Sequence, residues 1–363
     1  MIKRLLLGIL MIISVLALTA CGNDSDNNEA SEGSNTENED NEVNEDNGEI
    51  NLYTGRHYDT DEELYKTFTD ETGIKVNVIK GKDDELITRL EREGKASEAD
   101  LFITADAGRL HRAESRDLLQ EVNSDLLNEN IPEKYRDVDN KWFGLTKRAR
   151  VIAYHKDRVD PEEIKTYADL TSEANKNKVL IRSSENIYNQ SLMASFIALE
   201  GEDMAIDWAE GIVENMARNP KGGDTDQAIA VAAGEGDIAV INTYYYGRML
   251  NSEDPELVKA AEELGIVFPN QDTTGTHINI SGIGLTASSK NKENAIKFME
   301  FLSKEEAQEQ FSATNFEYPV NPNVEPDDLL KSWGDFKEQD LNLSELGEHN
   351  NEAIMILNKV GWK

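Results

Sequence analysis

The sequence predicts an α/β protein in two groupings, joined by two crossover strands that act as a hinge and leave a ligand cleft between them. Three observations predict it. Strand-like and helix-like segments alternate from Ile50 onward. The alternation runs twice, over roughly 50–146 and 148–276. Two further strand-like segments, Arg148–Tyr154 and His277–Leu285, fall where the groupings change, and paired connections of this kind form hinges with the binding site between the lobes.

In the first grouping, Ile50-Asn-Leu-Tyr53 is strand-like. Thr60-x-x-Glu63 has capping-box spacing and opens a helix that carries Leu64 and Phe68 and closes at Gly73. Ile74-Lys-Val76-Asn-Val78 alternates with period two, as a strand does. Leu86, Ile87 and Leu90 mark a helix ending near Gly94, Asp100–Thr104 is a buried-type strand, and a helix is expected from about Gly108 to Val122. Such a βαβαβα run predicts a sheet of mainly parallel strands with helices on both faces. In the second grouping the strands are Lys178–Arg182, Asp237–Thr243 and Gly265–Phe268. Its helices are expected over Gln190–Leu199, about Met204–Met216, and from an Asp224-x-x-Gln227 cap through Ala233. Helices from Lys290 to about Ser312 and from Asn351 to Val360 complete the chain.

The first fifty residues are of a different kind. Lys3 and Arg4 precede an apolar run from Leu5 to Leu18, followed by the small residues Thr19 and Ala20. This is the pattern of an export signal, and it is too short for a transmembrane helix, which needs roughly 20 apolar residues. Leu18-Thr19-Ala20-Cys21 resembles the bacterial lipobox, which implies cleavage before Cys21 and lipidation of that cysteine. Cys21 is the only cysteine, so no disulfide forms within one chain and no thiolate remains for catalysis or a soft metal. From residue 22 to 49 there are eleven acids, no Lys or Arg, and essentially one apolar side chain beyond alanine, Val43. That composition does not offset its ordering entropy, and an extended, disordered stalk is expected. The expected organisation is therefore a signal (1–20), a lipidated cysteine and stalk (21–49), and a body from residue 50.

The formal net charge is −34. The signal contributes +2 and the stalk −11, leaving about −25 on the body. A phosphate backbone would be repelled, which excludes nucleic acid as partner. The charge suits a cationic ligand, and equally a solubility adaptation to high salt or high pH.

In open α/β sheets, ligands bind beyond the carboxyl ends of strands. Gly55-Arg56-His57-Tyr58 follows the first strand, a short loop ending in Tyr188 follows strand 178–182, and Tyr244, Tyr245 and Tyr246 follow strand 237–243. Phenolate oxygen is a hard donor and imidazole also suits iron, so the set fits a hard, highly charged cation. The ion's own charge can displace a phenol proton at neutral pH. Calcium would take more carboxylates and carbonyls, and zinc would take closely spaced Cys and His. The remaining histidines, His111, His155, His277 and His349, show no such spacing. Arg148 and Arg150 flank the expected hinge and Arg56 adjoins His57. Their guanidinium forks are either anion-binding or paired with acids of this acidic chain. The residues alone leave other ligands open: a polyamine or thiamine, since aromatic cages hold organic cations, or another metal. They also leave open an extracytoplasmic iron metalloenzyme or a surface adhesin with a vestigial cleft.

From about residue 50 to the C-terminus the chain resembles the ferric-ion-binding proteins of ABC importers, in the branch that uses one His and several Tyr. The match is carried by Gly55-Arg-His-Tyr58, Ala105-Asp-Ala-Gly-Arg-Leu110, Trp142 through Ile152, Gly222-Gly-Asp-Thr-Asp-Gln227, Asn242-Thr-Tyr-Tyr245, Gly275 through Gly282 and Glu317-Tyr-Pro-Val320. The resemblance implies a two-lobed, periplasmic-binding-protein-like fold of type II. Lobe 1 is expected over 50–147 plus about 277–315 and lobe 2 over 148–276, with 316–363 unassigned. It implies His57, Tyr58, Tyr188, Tyr244 and Tyr245 as ligands to Fe³⁺, with a carbonate or carboxylate anion as a possible further ligand. Tyr246 is not among them. It implies no enzyme activity. The partners implied are an ABC permease with its ATPase, and the protein is expected to act as a monomer, lipid-anchored on the extracytoplasmic face of the cell membrane.

Overall fold

The computed structural model describes residues 47–56 and 58–363. The expected signal, Cys21, the stalk as far as Asp46, and His57 lie outside the described residues.

The first run of elements is β1 (Glu49–Thr54), α1 (Asp59–Thr72), β2 (Lys75–Lys80), α2 (Asp83–Glu93), β3 (Leu101–Ala105), α3 (Ala107–Glu114) and α4 (Asp125–Asn130). A long strand, β4 (Trp142–His155), follows. The second run is β5 (Val179–Leu180), α5 (Ile187–Glu200), α6 (Glu202–Asn215), α7 (Asp224–Ala232), β6 (Ile238–Asn242), α8 (Thr243–Leu250), α9 (Pro255–Glu262) and β7 (Leu264–Val267). The chain closes with β8 (Ile278–Leu285), α10 (Lys292–Ser303), α11 (Glu305–Asn315), β9 (Tyr318–Pro319), α12 (Asp328–Ser332), α13 (Glu345–Glu348) and α14 (Asn350–Lys359).

Most expected elements are present, and the departures have local causes. Helix α1 does end at Gly73, whose left-handed φ of 71° lets its N–H reach the Thr69 carbonyl. Its start is Asp59 with Tyr58 as N-cap, and Thr60 instead donates to Asn315 Oδ1 at 2.9 Å. Helix α3 stops at Glu114 rather than running to Val122. Asp117 turns left-handed there (φ 56°), and the chain leaves to pair Leu119 with Thr286. At α7 the cap is Gly223, whose N–H donates to Asp226, because the Asp224 carboxylate is taken up by Arg150.

The sheet order is β2-β1-β3-β8-β4-β6-β5, with β7 and β9 also pairing with β4. The expectation of mainly parallel strands is corrected. Pairs β1–β2, β1–β3 and β5–β6 are parallel, whereas every pair made by β4 or β8 is antiparallel. The crossover strands, which run back between the βα units, therefore set most of the pairing. Strand β4 pairs with β8 over Trp142–Ala149 and changes partner at Arg150, pairing with β6 and β7 as far as His155. The return connection precedes β8, where the Arg150 N–H donates to the His277 carbonyl.

Two hydrophobic clusters flank this changeover. One gathers residues such as Ile50, Phe68, Phe102, Trp142 and Phe298, with Phe68 and Phe298 edge to face at 4.9 Å. The other gathers Ile152, Tyr167, Phe196, Trp208 and Val240. The C-terminal helix α14 packs on α5 and α6 and brings Ala353, Ile356, Leu357 and Trp362 into the second cluster.

Candidate metal centre

Three helix starts converge on one cavity. Tyr58 is the N-cap residue of α1, Tyr188 lies in the first turn of α5, and Tyr244 and Tyr245 lie in the first turn of α8. Each position follows from a strand that ends and a helix that begins with its free N–H groups toward the site. Helix starts carry partial positive charge and favour anionic side chains. Asn186 caps α5 by accepting from the Tyr188 N–H at 3.1 Å. Asn242, before α8, donates its N–H to Asp224. After β1 the chain turns through Gly55, where a Cβ would lie 1.9 Å from Asp83 Oδ1. Glycine is needed there for Asp83 to reach the cavity wall.

The cavity has a volume of about 110 Å³ and is lined by Tyr58, Tyr188, Tyr244 and Tyr245 together with Arg148, Glu317 and Asp83. The Tyr188 and Tyr244 hydroxyls are 3.3 Å apart, and the Tyr244 and Tyr245 rings lie 4.2 Å apart. Drug-sized organic ligands occupy roughly 300–1,000 Å³, so this volume suits an ion and a small anion better than a polyamine or thiamine. Tyr246 points elsewhere, its hydroxyl donating to the Leu264 carbonyl at 2.9 Å.

Burial pushes the Tyr58 phenol up to about 12, reinforced by Glu317 and opposed by Arg56. Burial raises Tyr244 and Tyr245 as well, with neighbouring tyrosines adding to it. These three phenols are therefore protonated at neutral pH when no metal is bound. Guanidinium groups surround the rings: Arg56 and Arg248 lie 4.9 and 5.0 Å from the Tyr58 centroid, and Arg148 and Arg182 lie 5.4 and 5.3 Å from that of Tyr188. An ion charged strongly enough to displace the protons leaves phenolates that these cations and the helix starts stabilise.

The three arginines singled out in the sequence behave differently. Arg56 is held by Asp61 (2.7 and 3.1 Å) and Glu317 (2.8 and 3.2 Å). Arg150 donates to Asp224 and Asn189, each at 2.8 Å, and to Asn242 at 3.3 Å. Arg148 is only 2% exposed, none of its three guanidinium nitrogens has a hydrogen-bond partner among the described residues, and Asp106 is 3.8 Å away.

The structure brings together Tyr58, Tyr188, Tyr244, Tyr245 and Arg148, and His57 lies outside the described residues. Sequence reasoning did not single out Arg182, Arg248, Asp83 or Glu317. Two left readable signals: Arg248 stands four residues after Tyr244, one turn along the same helix, and Glu317 opens the matched segment Glu317-Tyr-Pro-Val320. Among the described residues, the group of three or more carboxylates and imidazoles able to share an ion is Glu114, Asp137 and Asp139. There the Lys141 ammonium already lies 3.4 Å from Glu114.

The fold and the cavity together define a solute-capturing protein, and comparison with known proteins agrees. Residues 63–338 match the bacterial extracellular solute-binding protein family, and the chain belongs to it. It is a binding protein and not an enzyme. It is 50% identical to Iron uptake protein A1 of a Synechocystis strain over 87% of this chain and 88% of that protein. With Iron uptake protein A2 of the same organism it shares 44% identity over 86% and 90%. A Trichodesmium protein solved in complex with iron and citrate ligands superposes with a TM-score of 0.85 at 51% identity, over 87% of this chain and all of that one. The ferric binding protein from Campylobacter jejuni gives 0.83 at 47%, over 86% of this chain and all of that one. The fold is accordingly the two-lobed type II, periplasmic-binding-protein-like fold expected from the sequence.

Proposed function

We propose that this protein captures ferric iron in the cleft and delivers it to an ABC permease with its ATPase. The observation that carries this reading is the convergence of four tyrosines from three helix starts on a cavity sized for an ion. His57, Tyr58, Tyr188, Tyr244 and Tyr245 are the proposed ligands. Phenolates neutralise the ion's charge, which selects a trivalent ion over a divalent one, since only the former displaces several protons from phenols raised by burial. Arg148 takes the carbonate or carboxylate anion, because Arg56 and Arg150 spend their terminal nitrogens on acids and amides. The names of the relatives and the iron- and citrate-bound neighbour support both assignments.

In the proposed organisation, one lobe comprises 50–147 with about 277–315, and the other 148–276. The partner change within β4 at Ala149–Arg150 supports this boundary. The packing of α14 on α5 and α6 supports assigning the last helix to the second lobe. The protein works as a monomer, exported and held by lipid on Cys21 at the extracytoplasmic face of the cell membrane. The basic, apolar and small-residue pattern of 1–21 supports this. Among the described residues no helix is long and apolar enough to cross a membrane.

The body from residue 50, mixed with ferric citrate, should turn orange to red through phenolate-to-iron charge transfer. Tyr244→Phe and Tyr245→Phe should weaken the colour. A colourless protein that is instead thermally stabilised by an organic cation would overturn the reading.

A further inference from the structure

Tyr188 and Ser191 are three residues apart on α5, so they share a face of that helix. Ser191 is fully buried, and its hydroxyl donates to Asp106 Oδ1 at 2.6 Å. Asp106 lies in the turn between β3 and α3 and is fully buried. Its φ of 99° is unfavourable for a residue with a side chain. Backbone strain of this kind persists where the surroundings over-determine it. Here they do: Oδ1 also accepts from the Gly108 N–H at 2.9 Å, and Oδ2 accepts from Asn279 of β8 at 2.8 Å.

The approach of the two helices is close as well as bonded. A Cβ built on Gly108, in the first turn of α3, would lie a tight 3.2 Å from Asp106 Oδ1 and in van der Waals contact with Ser191 Oγ at 3.6 Å and Ile187 Cδ1 at 3.7 Å. The backbone of α3 thus abuts the face of α5 that carries Tyr188. Helix α5 supplies Phe196 and Ile197 to one hydrophobic cluster, while Ile103, Ala107 and Leu110 around Asp106 belong to the other.

We infer that the Asp106–Ser191 hydrogen bond, with the bare Gly108 beside it, is a closure latch that sets where Tyr188 stands in the cavity. It rests on the reading of Tyr188 as an iron ligand. Asp106 and Ser191 touch no ion and are positioning residues. Asp106 is rigidly prepared by Gly108 and Asn279, and Ser191 completes the set from the opposite side of the cleft. When the bond forms, α5 is drawn against α3 and Tyr188, with Tyr244 beside it, is brought within reach of Tyr58. A buried hydrogen bond to a carboxylate is among the stronger kind.

The test uses the full-length chain and measures ferric affinity by competition with citrate, alongside the position of the charge-transfer band and the solution scattering radius. Ser191→Ala should weaken iron binding by at least about tenfold, the fold-change expected from one such bond. It should also shift the band toward that of Tyr188→Phe and enlarge the iron-loaded radius. Adding Ser191→Ala to Tyr188→Phe should cost little more. Gly108→Val, which wedges the helices apart and removes no donor, should act in the same direction, and Gly108→Ala less. This graded pair decides the matter if Ser191→Ala folds poorly. Wild-type affinity and radius in Ser191→Ala and Gly108→Val, with Tyr188→Phe still weakening iron, would overturn the latch and leave the site intact. An unaltered affinity in Tyr188→Phe would overturn the assignment of Tyr188 itself.

Discussion

Arg148 and Arg150 stand two residues apart on one strand, and so project from the same face of β4, yet their surroundings are opposite. Both terminal nitrogens of Arg150 are bonded, to Asp224, Asn189 and Asn242. The Arg148 guanidinium is equally buried and has no hydrogen bond among the described residues, only Asp106 at 3.8 Å and the ring of Tyr188. Burying a cation with one long ion pair and no hydrogen bond is costly. On the proposed reading, the contrast separates a side chain that holds the hinge from one that takes an anion, on two residues of the same type.

Breaking the satisfied side should have the largest effect. Arg150→Met leaves the buried Asp224 with only the longer contact to Arg182, at 3.5 Å, as its cation and should cost about 3 kcal/mol of stability in urea unfolding. Iron binding would fall only as far as the fold does. The tyrosine side should behave in reverse. Tyr244→Phe should leave unfolding nearly unchanged and lower ferric affinity about 100-fold, or about 2.7 kcal/mol, by citrate competition.

A second satisfied cluster sharpens the comparison. Glu338 accepts from Lys147 at 2.6 Å and also from Lys134 and Tyr135. Burial alone would raise its carboxyl, but Lys147 and Lys134 outweigh that and hold it at about 2. The folded value lies below the unfolded value of about 4.3. The stabilisation is therefore present above about pH 4.3 and is lost as pH falls through about 2. Glu338→Gln should lower stability by about 2 kcal/mol at pH 7, and its difference from wild type should shrink across that acid window.

The smallest effect is the most specific. Arg148→Leu should cost less stability than Arg150→Met, since the ion pair it removes is the long one to Asp106, at 3.8 Å, and that carboxylate keeps its bonds from Ser191, Gly108 and Asn279. It should lower ferric affinity about tenfold and abolish the dependence of that affinity on added bicarbonate or citrate. A stability loss as large as that of Arg150→Met would erase the distinction between the two arginines.

Much of this site was legible before the structure. Tyr58, Tyr188 and Tyr244–Tyr245 each follow a strand, and strand ends are written in local hydrophobic pattern. The partner change in β4 was legible too, because Arg148–Tyr154 is strand-like between two groupings. The difference between Arg148 and Arg150 was not. It depends on where Asp224 and Asn189 arrive, 74 and 39 positions from Arg150, and no local pattern encodes that. The end of α3 was misplaced for the same reason: the pull on residues 117–119 comes from β8 and Thr286, far along the chain. The antiparallel majority was hidden because β4 and β8 each serve several neighbours, which alternation along the chain does not reveal.

The central claim is that the tyrosine cavity, and not an acidic cluster elsewhere, holds the iron. Its most direct test is a crystal structure of the iron-loaded protein with anomalous scattering measured at the iron edge. The account predicts one strong peak per chain among Tyr58, Tyr188, Tyr244 and Tyr245, with density for a small anion at Arg148. A peak at Glu114, Asp137 and Asp139 with an empty tyrosine cavity would contradict it.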